Sequence, residues 1–132
     1  MALTVLDAGV VIGLLDRDDA HHDAARTALR EARERGDELV LPASAYAEVL
    51  VVPFRQGPQA AETVDAFLDA LTARVEPVTK AIARGAAQLR AAHRALRLPD
   101  ALVIATALEV RADRLLTTDR RWPDVGLEVT AL

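Results

Sequence analysis

The sequence contains no cysteine, and it has few aromatic residues. The absence of cysteine excludes disulfides, thiolate zinc sites and cysteine nucleophiles. Aromatic residues are 3 % of the chain and hydrophobic residues are 52 %, so the core must be built from Ala, Val, Leu and Ile. A length of 132 residues suits one hydrophobic core, and we expect residues 1–132 to form a single domain.

Long apolar runs are also missing. No run approaches the roughly 20 residues that cross a bilayer. The apolar start MALTVLDAGVVIGLLD lacks a basic segment and is interrupted by Asp7, which argues against a signal peptide. We therefore expect a cytoplasmic protein with no membrane partner.

Lysine is nearly absent, because Lys80 is the single lysine among the 16 basic residues. The net charge is −4, whereas proteins that hold nucleic acid by simple charge attraction are usually basic. A role on nucleic acid then requires bound cations that cancel local carboxylate charge, or a few well-placed arginines.

Short apolar runs alternate with longer helical patterns along the chain. Strands are predicted at Leu3–Asp7, Glu38–Leu41, Val75–Pro77, Arg114–Thr117 and Leu127–Val129. Helices are predicted at Ala8–Leu15, Ala20–Arg35, Ala45 to about Val52, Ala60–Thr72, Thr79–Leu96 and Pro99 to about Ala112. Ser44 is expected to cap the third helix, and Pro53 is expected to break the chain after it. This alternation predicts an α/β sandwich with a mainly parallel sheet.

Four acidic residues occupy the positions where such a fold builds its sites. Asp7 ends the first strand, and Asp119 follows the strand Arg114–Thr117. Asp100 opens one helix and Glu48 lies in the first turns of another. Because ligands of parallel sheets bind outside the carboxyl ends of the strands, these acids can converge on one site.

A bare cluster of carboxylates is costly, since mutual repulsion raises each pKa. A hard divalent cation such as Mg²⁺ or Mn²⁺ prefers oxygen ligands and relieves that repulsion. It also activates a water molecule for attack on a phosphodiester. Spacing alone is weak evidence, because the chain has 20 acids and most acids lie on solvated surfaces.

Four segments, in their order, resemble those of PIN-domain ribonucleases and look most like the VapC toxins of toxin–antitoxin pairs. The segments are LTVLDAGVVIGLLD, PASAYAEVL, LPDALVIATALEV and RLLTTDRRW. The resemblance covers essentially the whole chain, and its most specific part is LPDALVIATAL followed by a strand and T-x-D.

The resemblance implies a three-layer α/β/α sandwich with a central, mainly parallel sheet. It also implies Mg²⁺- or Mn²⁺-dependent hydrolysis of RNA, a homodimer and a cognate antitoxin protein. Asp7, Glu48 and Asp100 would match the metal-binding acids, Asp119 the fourth acid, and Thr117 a hydroxyl that supports the site.

One position departs from the family pattern. The family commonly has Ser or Thr two residues after the first Asp, and this chain has Gly9. The missing hydroxyl would lower activity, or its role would pass to Thr117, Thr118 or a backbone N–H.

Arginines lie beside the acids in the sequence. Arg120 and Arg121 follow Asp119, and Arg94 and Arg97 precede Asp100. They are candidates for contacts to RNA phosphates or to an antitoxin carboxylate, with Arg120 a supporting site residue, and the alternative is ordinary solvated charge.

Two alternatives to a ribonuclease remain open. The first is a catalytically weak PIN-like module that only binds a partner, and Gly9 favours it. The second is phosphoryl transfer through an aspartyl phosphate at Asp7. The second is disfavoured because such phosphatases usually need another acid at the position of Gly9, and Lys80 is the single available lysine.

Overall fold

The computed structural model describes residues 1–132 and contains one five-stranded sheet. The strand order is β3-β2-β1-β4-β5, and every neighbouring pair is parallel. The strands are β1 Leu3–Leu6, β2 Glu38–Pro42, β3 Arg74–Glu76, β4 Arg114–Thr117 and β5 Val129–Ala131. The sheet confirms the predicted α/β class, and it is parallel throughout rather than mainly parallel.

Six helices flank this sheet and complete the predicted three-layer architecture. They are α1 Ala8–Leu15, α2 His22–Arg35, α3 Ala43–Gln56, α4 Pro58–Ala70, α5 Lys80–Ala92 and α6 Leu98–Glu109. With right-handed crossovers, the β1–β2 and β2–β3 connections lie on one face of the sheet and the β3–β4 connection on the other. Accordingly α1 packs on α2 and α3, α3 packs on α4, and α5 packs on α6.

The core lies on both faces of the three central strands. β1, β2 and β4 are almost wholly buried, as expected for parallel strands covered on two sides. The middle of α6 is buried nearly all round, which agrees with its uniformly apolar sequence. Helix α3 also contacts α6. That contact brings the helices that carry Glu48 and Asp100 together.

The structure corrects the prediction for the third helix. Helix α3 starts directly after β2, so Ser44 lies inside it and is not its cap. Pro53 does not break the helix, which continues to Gln56. Pro53 lies in the last turn, where it removes one helical hydrogen bond while the rest of the helix is already formed. Gly57, with a φ of 130°, ends the helix instead.

Other boundaries shift by a few residues. Helix α5 ends at Ala92 rather than Leu96, because a turn from His93 carries the Leu96 side chain into the core. Strand β5 is Val129–Ala131 rather than Leu127–Val129, as set by its pairing with β4. None of the helices combines the length and apolar character needed to cross a membrane.

Candidate active site

The Asp7 carboxylate lies at the carboxyl end of β1 and caps α1. One of its oxygens, Oδ1, accepts a hydrogen bond from the Ala8 N–H at 2.8 Å. The other, Oδ2, accepts a hydrogen bond from the Thr117 hydroxyl at 2.7 Å. Both carboxylate oxygens are therefore held, and the side chain has one defined orientation.

Burial raises the pKa of Asp7 from 3.8 to about 6. This value includes smaller upward contributions from the charges of Asp100 and Glu48, and the hydrogen bonds from Thr117 and Ala8 oppose the shift. A strand-end carboxylate that is buried, oriented and flanked by two other acids is costly for folding alone, and it is typical of a functional group.

Thr117 connects two of the four acids. Its side chain is fully buried at the end of β4. Its hydroxyl donates to Asp7 and accepts the backbone N–H of Asp119 at 3.0 Å. This one hydroxyl therefore fixes the rotamer of Asp7 and the start of the loop that carries Asp119.

Glu48 and Asp100 lie on α3 and α6, two helices that contact each other. Burial is the main cause of the raised pKa of Glu48, followed by the charge of Asp100, and Arg97 opposes the shift. The pKa of Asp100 is also raised by burial first, with Asp119 adding to the shift and Arg97 opposing it. Asp7, Glu48 and Asp100 thus form a group of like charges at one edge of the sheet.

Asp119 lies at the margin of this group. Its charge raises the pKa of Asp100 but is not among the causes that shift Asp7. Its carboxylate accepts from the Arg121 backbone N–H at 2.8 Å and from the Arg121 guanidinium at 3.2 Å. The hydrogen bond from the Arg121 side chain lowers the pKa of Asp119. Asp119 is therefore ionised and paired.

These acids offer the hard oxygen donors that Mg²⁺ or Mn²⁺ prefers. No three carboxylate or imidazole groups already lie in positions that hold one ion. Two acids point to arginines instead, since Arg97 Nε lies 3.7 Å from Asp100 Oδ2 and Arg121 pairs with Asp119. The donor set fits a divalent ion chemically, and in this structure two of its four acids are paired with arginines.

The Thr118 side chain fills the space above Gly9. A Cβ atom placed on Gly9 would lie 2.2 Å from Thr118 Oγ1, far below any normal contact. The hydroxyl of Thr118 thus occupies the space that a side chain at position 9 would take.

Three further residues, Arg120, Lys80 and Trp122, differ in their exposure and in their relation to the acids. Arg120 is exposed and forms no ion pair with the acids. Lys80 begins α5 and pairs with none of them, which gives no support to phosphoryl transfer through Asp7. Trp122 packs on the core, and its indole N–H faces Asp100 and favours the ionised carboxylate. That N–H is nevertheless buried without a hydrogen bond of normal geometry.

Sequence reasoning did not find three of these relationships. The Arg97–Asp100 pair has the i, i+3 spacing of helix neighbours, so a helix boundary at Leu98 would have suggested it. The Arg121–Asp119 pair lies in a loop, where spacing predicts nothing. The contact between Gly9 and Thr118 joins residues far apart in sequence and becomes visible when β1 and β4 are paired.

The largest cavity lies elsewhere, between α1, α2 and α4. It has a volume of about 980 Å³ and contains none of the four acids. Its floor is apolar, with Leu14, Leu29 and Phe67, and Arg17, Arg26, Arg30 and Arg33 lie around it beside one acid, Glu34. It therefore forms a basic groove on an acidic protein.

The chain matches one family of known proteins in sequence and several solved structures in fold. The family model described as PIN domain matches residues 4–127. No curated protein matches the sequence.

Several solved structures share the fold at low identity. A toxin–antitoxin complex from Klebsiella pneumoniae has a TM-score of 0.72 and 22 % identity, with 89 % of this chain and 88 % of that chain covered. VapC20 of Mycobacterium tuberculosis, described as a toxin that cleaves the sarcin–ricin loop, gives 0.72 and 21 %, with 89 % and 91 % covered. VapBC2 of Rickettsia felis, bound to promoter DNA, gives 0.77 and 14 %, with 98 % of each chain covered.

Proposed function

Because the chain belongs to the PIN-domain family, we propose that it is a Mg²⁺- or Mn²⁺-dependent endoribonuclease and the toxin of a type II toxin–antitoxin pair. The proposed substrate is RNA, and the proposed place of action is the cytoplasm. The observation that carries the proposal is the buried, oriented carboxylate of Asp7, which is coupled to Glu48 and Asp100.

Asp7, Glu48 and Asp100 are the proposed metal ligands, with Asp119 as a fourth. When bound, the cation supplies Lewis-acid chemistry: it polarises water and stabilises negative charge on a phosphate. The protein then requires no Ser, Cys or His nucleophile.

The remaining chemistry belongs to the side chains around the acids. Asp7 is held by Thr117 and Ala8 in one orientation, so no rearrangement of that ligand accompanies the reaction. The raised pKa of Asp7 means that proton release from this group accompanies cation binding at mildly acidic pH. Thr117 is thus a positioning residue, and Arg120 is a candidate phosphate contact from the exposed loop.

An antitoxin protein is the proposed partner, because several neighbours in fold are described as toxin–antitoxin complexes. The basic groove between α1, α2 and α4 supports this, since its arginines and apolar floor suit an acidic amphipathic segment. A homodimer is also proposed. Val51, Val52 and Phe54 are 47 %, 55 % and 61 % exposed at the end of α3, and an exposed apolar patch of this kind marks an interface.

The proposal is tested with purified protein free of antitoxin. We expect it to cleave single-stranded RNA in Mg²⁺ or Mn²⁺, and we expect EDTA to stop cleavage. Asp7→Asn, Glu48→Gln and Asp100→Asn should each abolish cleavage. Glu62→Gln is the matched control, because Glu62 is an exposed helical acid outside the acidic group. Full cleavage by Asp7→Asn and Asp100→Asn would overturn the proposed site.

A non-catalytic binding module is the second candidate. It is favoured by the arginine pairing of Asp100 and Asp119, which leaves no preformed cation site. RNA binding that is unaffected by EDTA, with no cleavage in any divalent cation, would support this candidate over the nuclease.

A further inference from the structure

A second, smaller cavity opens directly beside the acids. Its volume is about 350 Å³. Its lining combines two acids of the proposed site with basic and aromatic groups: Arg94, Arg97, Asp100, Asp119, Arg121 and Trp122. Three arginines therefore line one cavity on a protein whose net charge is −4.

Two of the three arginines are paired with acids of the site. Arg97 pairs with Asp100, and Arg121 pairs with Asp119. Both arginine side chains are largely exposed, 73 % and 87 % respectively, whereas the two carboxylates are mostly covered. The arginines can therefore swing away while the acids stay in place.

The cavity also has donors that take no part in its ion pairs. The indole N–H of Trp122 is buried facing Asp100, without a hydrogen bond of normal geometry. Arg94 forms no ion pair, and the one hydrogen bond near it is accepted by its backbone carbonyl. An exposed guanidinium without a carboxylate partner, such as that of Arg94, is free to donate to a bound oxyanion.

We propose that this cavity binds an RNA phosphate next to the scissile one, and that Arg97 and Arg121 move from Asp100 and Asp119 to this phosphate when a divalent cation binds the acids. The proposal rests on the proposed function, since it takes the acids as the cation site. In the free protein the arginines act as internal counter-ions. Cation and RNA then bind cooperatively. The cation takes the carboxylates and so frees the arginines for the phosphate, and the phosphate takes the arginines and so frees the carboxylates for the cation.

The strength of these contacts allows the exchange. Exposed ion pairs of this kind alter an equilibrium by about 1.5- to 5-fold each. A cation that bridges several carboxylates exceeds this, and an arginine that loses its carboxylate regains a comparable contact from a phosphate. The two Arg–Asp pairs therefore stabilise the site in the free protein but are weak enough for a cation to displace.

The first experiment measures Mn²⁺ binding to the protein alone, by electron paramagnetic resonance of the free ion. Removal of an internal competitor should tighten Mn²⁺ binding about threefold in Arg97→Gln and in Arg121→Gln, and about tenfold in the double variant. Arg94→Gln is the matched control, because Arg94 lines the same cavity without touching a carboxylate. Its change should be clearly smaller. Equal changes in all three single variants would show general charge repulsion only and would overturn the exchange.

The second experiment measures binding of a short fluorescent single-stranded RNA by anisotropy, in EDTA and in Ca²⁺. A denaturing gel checks that the RNA stays intact. With Ca²⁺, the salt dependence of binding should be steeper for the wild type than for the Arg97→Gln/Arg121→Gln double variant, by about 0.7 in log–log slope, as expected for one neutralised phosphate of a single strand. Arg84→Gln, an exposed arginine on α5 outside the cavity, should match the wild type.

Identical slopes for the wild type and the double variant would overturn the phosphate contact. Failure of this inference is distinguishable from failure of the proposed function. A protein that cleaves RNA with Mg²⁺ but shows neither effect lacks only the exchange. A protein that binds no Mn²⁺ and cleaves no RNA fails at the proposed function itself.

Discussion

The contact between Gly9 and Thr118 leads to a quantitative prediction. Substitution of Gly9 by Ala puts a Cβ atom 2.2 Å from Thr118 Oγ1, and such overpacking costs about 1–3 kcal/mol. Rotation of the threonine relieves part of it for about 1 kcal/mol, so that a cost of about 1.5–2 kcal/mol remains. Alanine gains about 0.5–1 kcal/mol over glycine in a helix. We therefore expect Gly9→Ala to destabilise the protein by about 1 kcal/mol.

A double-mutant cycle isolates the clash from helix propensity. In a Thr118→Ala background Oγ1 and Cγ2 are gone, and the nearest remaining atom is the Cβ of residue 118, at 3.3 Å. Gly9→Ala should then stabilise the protein by a few tenths of a kcal/mol, which gives a coupling energy of about 1.5 kcal/mol. Urea unfolding of the four proteins at one pH measures it.

The expected change in melting temperature is about 3–5 °C per kcal/mol for a chain of this size. A coupling energy below about 0.5 kcal/mol would refute the reasoning, because Gly9→Ala would then act equally in both backgrounds. In that case Thr118 does not occupy the space above Gly9 in solution, and some other constraint accounts for the presence of glycine at position 9.

Three further predictions concern the acids. Asp7→Asn should raise the free energy of unfolding at pH 7 by up to about 3 kcal/mol, because burial raises the pKa of Asp7 from 3.8 to about 6 in the folded protein. Between pH 6 and pH 4 the folded state binds a proton at Asp7 that the unfolded state does not bind, so wild-type stability rises as pH falls from 7 to 4. The advantage of Asn therefore disappears at pH 4. Urea unfolding at pH 7 and at pH 4 checks the sign. Mn²⁺ should raise the melting temperature more at pH 7.5 than at pH 5, because protons compete for Asp7, and equal increments would exclude Asp7 as a ligand. Thr117→Val should lower the free energy of unfolding by about 1–3 kcal/mol, because Asp7 Oδ2 and the Asp119 N–H both lose a partner, whereas Thr117→Ser should retain most of it.

The layers of the fold could be predicted well because apolar residues recur along the sequence with clear strand and helix spacing. The buried runs of β1, β2 and β4 and the apolar LPDALVIATAL helix leave few other arrangements. Pro53 misled the prediction, because a proline in the last turn of a helix has the same local signature as one that ends it. The tertiary contacts of α3 decide between the two, and these are not visible in the local sequence.

The candidate site was predictable only in outline. Strand ends and helix starts indicate which acids meet at one edge of a parallel sheet, and the charges of Glu48 and Asp100 do raise the pKa of Asp7 there. Side-chain pairing is a separate question. The arginine partners of Asp100 and Asp119 depend on rotamers and loop geometry, so the sequence offered Arg97 and Arg121 only as neighbours of acids.

The central place of β1 in the sheet also affects how the protein is made. Asp7 is synthesised at the start of the chain, whereas Thr117, which holds its carboxylate, follows 110 residues later. Until β4 has been translated, β1 has a neighbour on one side only, β2. A nascent chain therefore lacks both the hydroxyl that orients Asp7 and the acid at position 119. If the protein cleaves RNA as proposed, the ribosome that makes it finishes most of the chain before the nuclease can form.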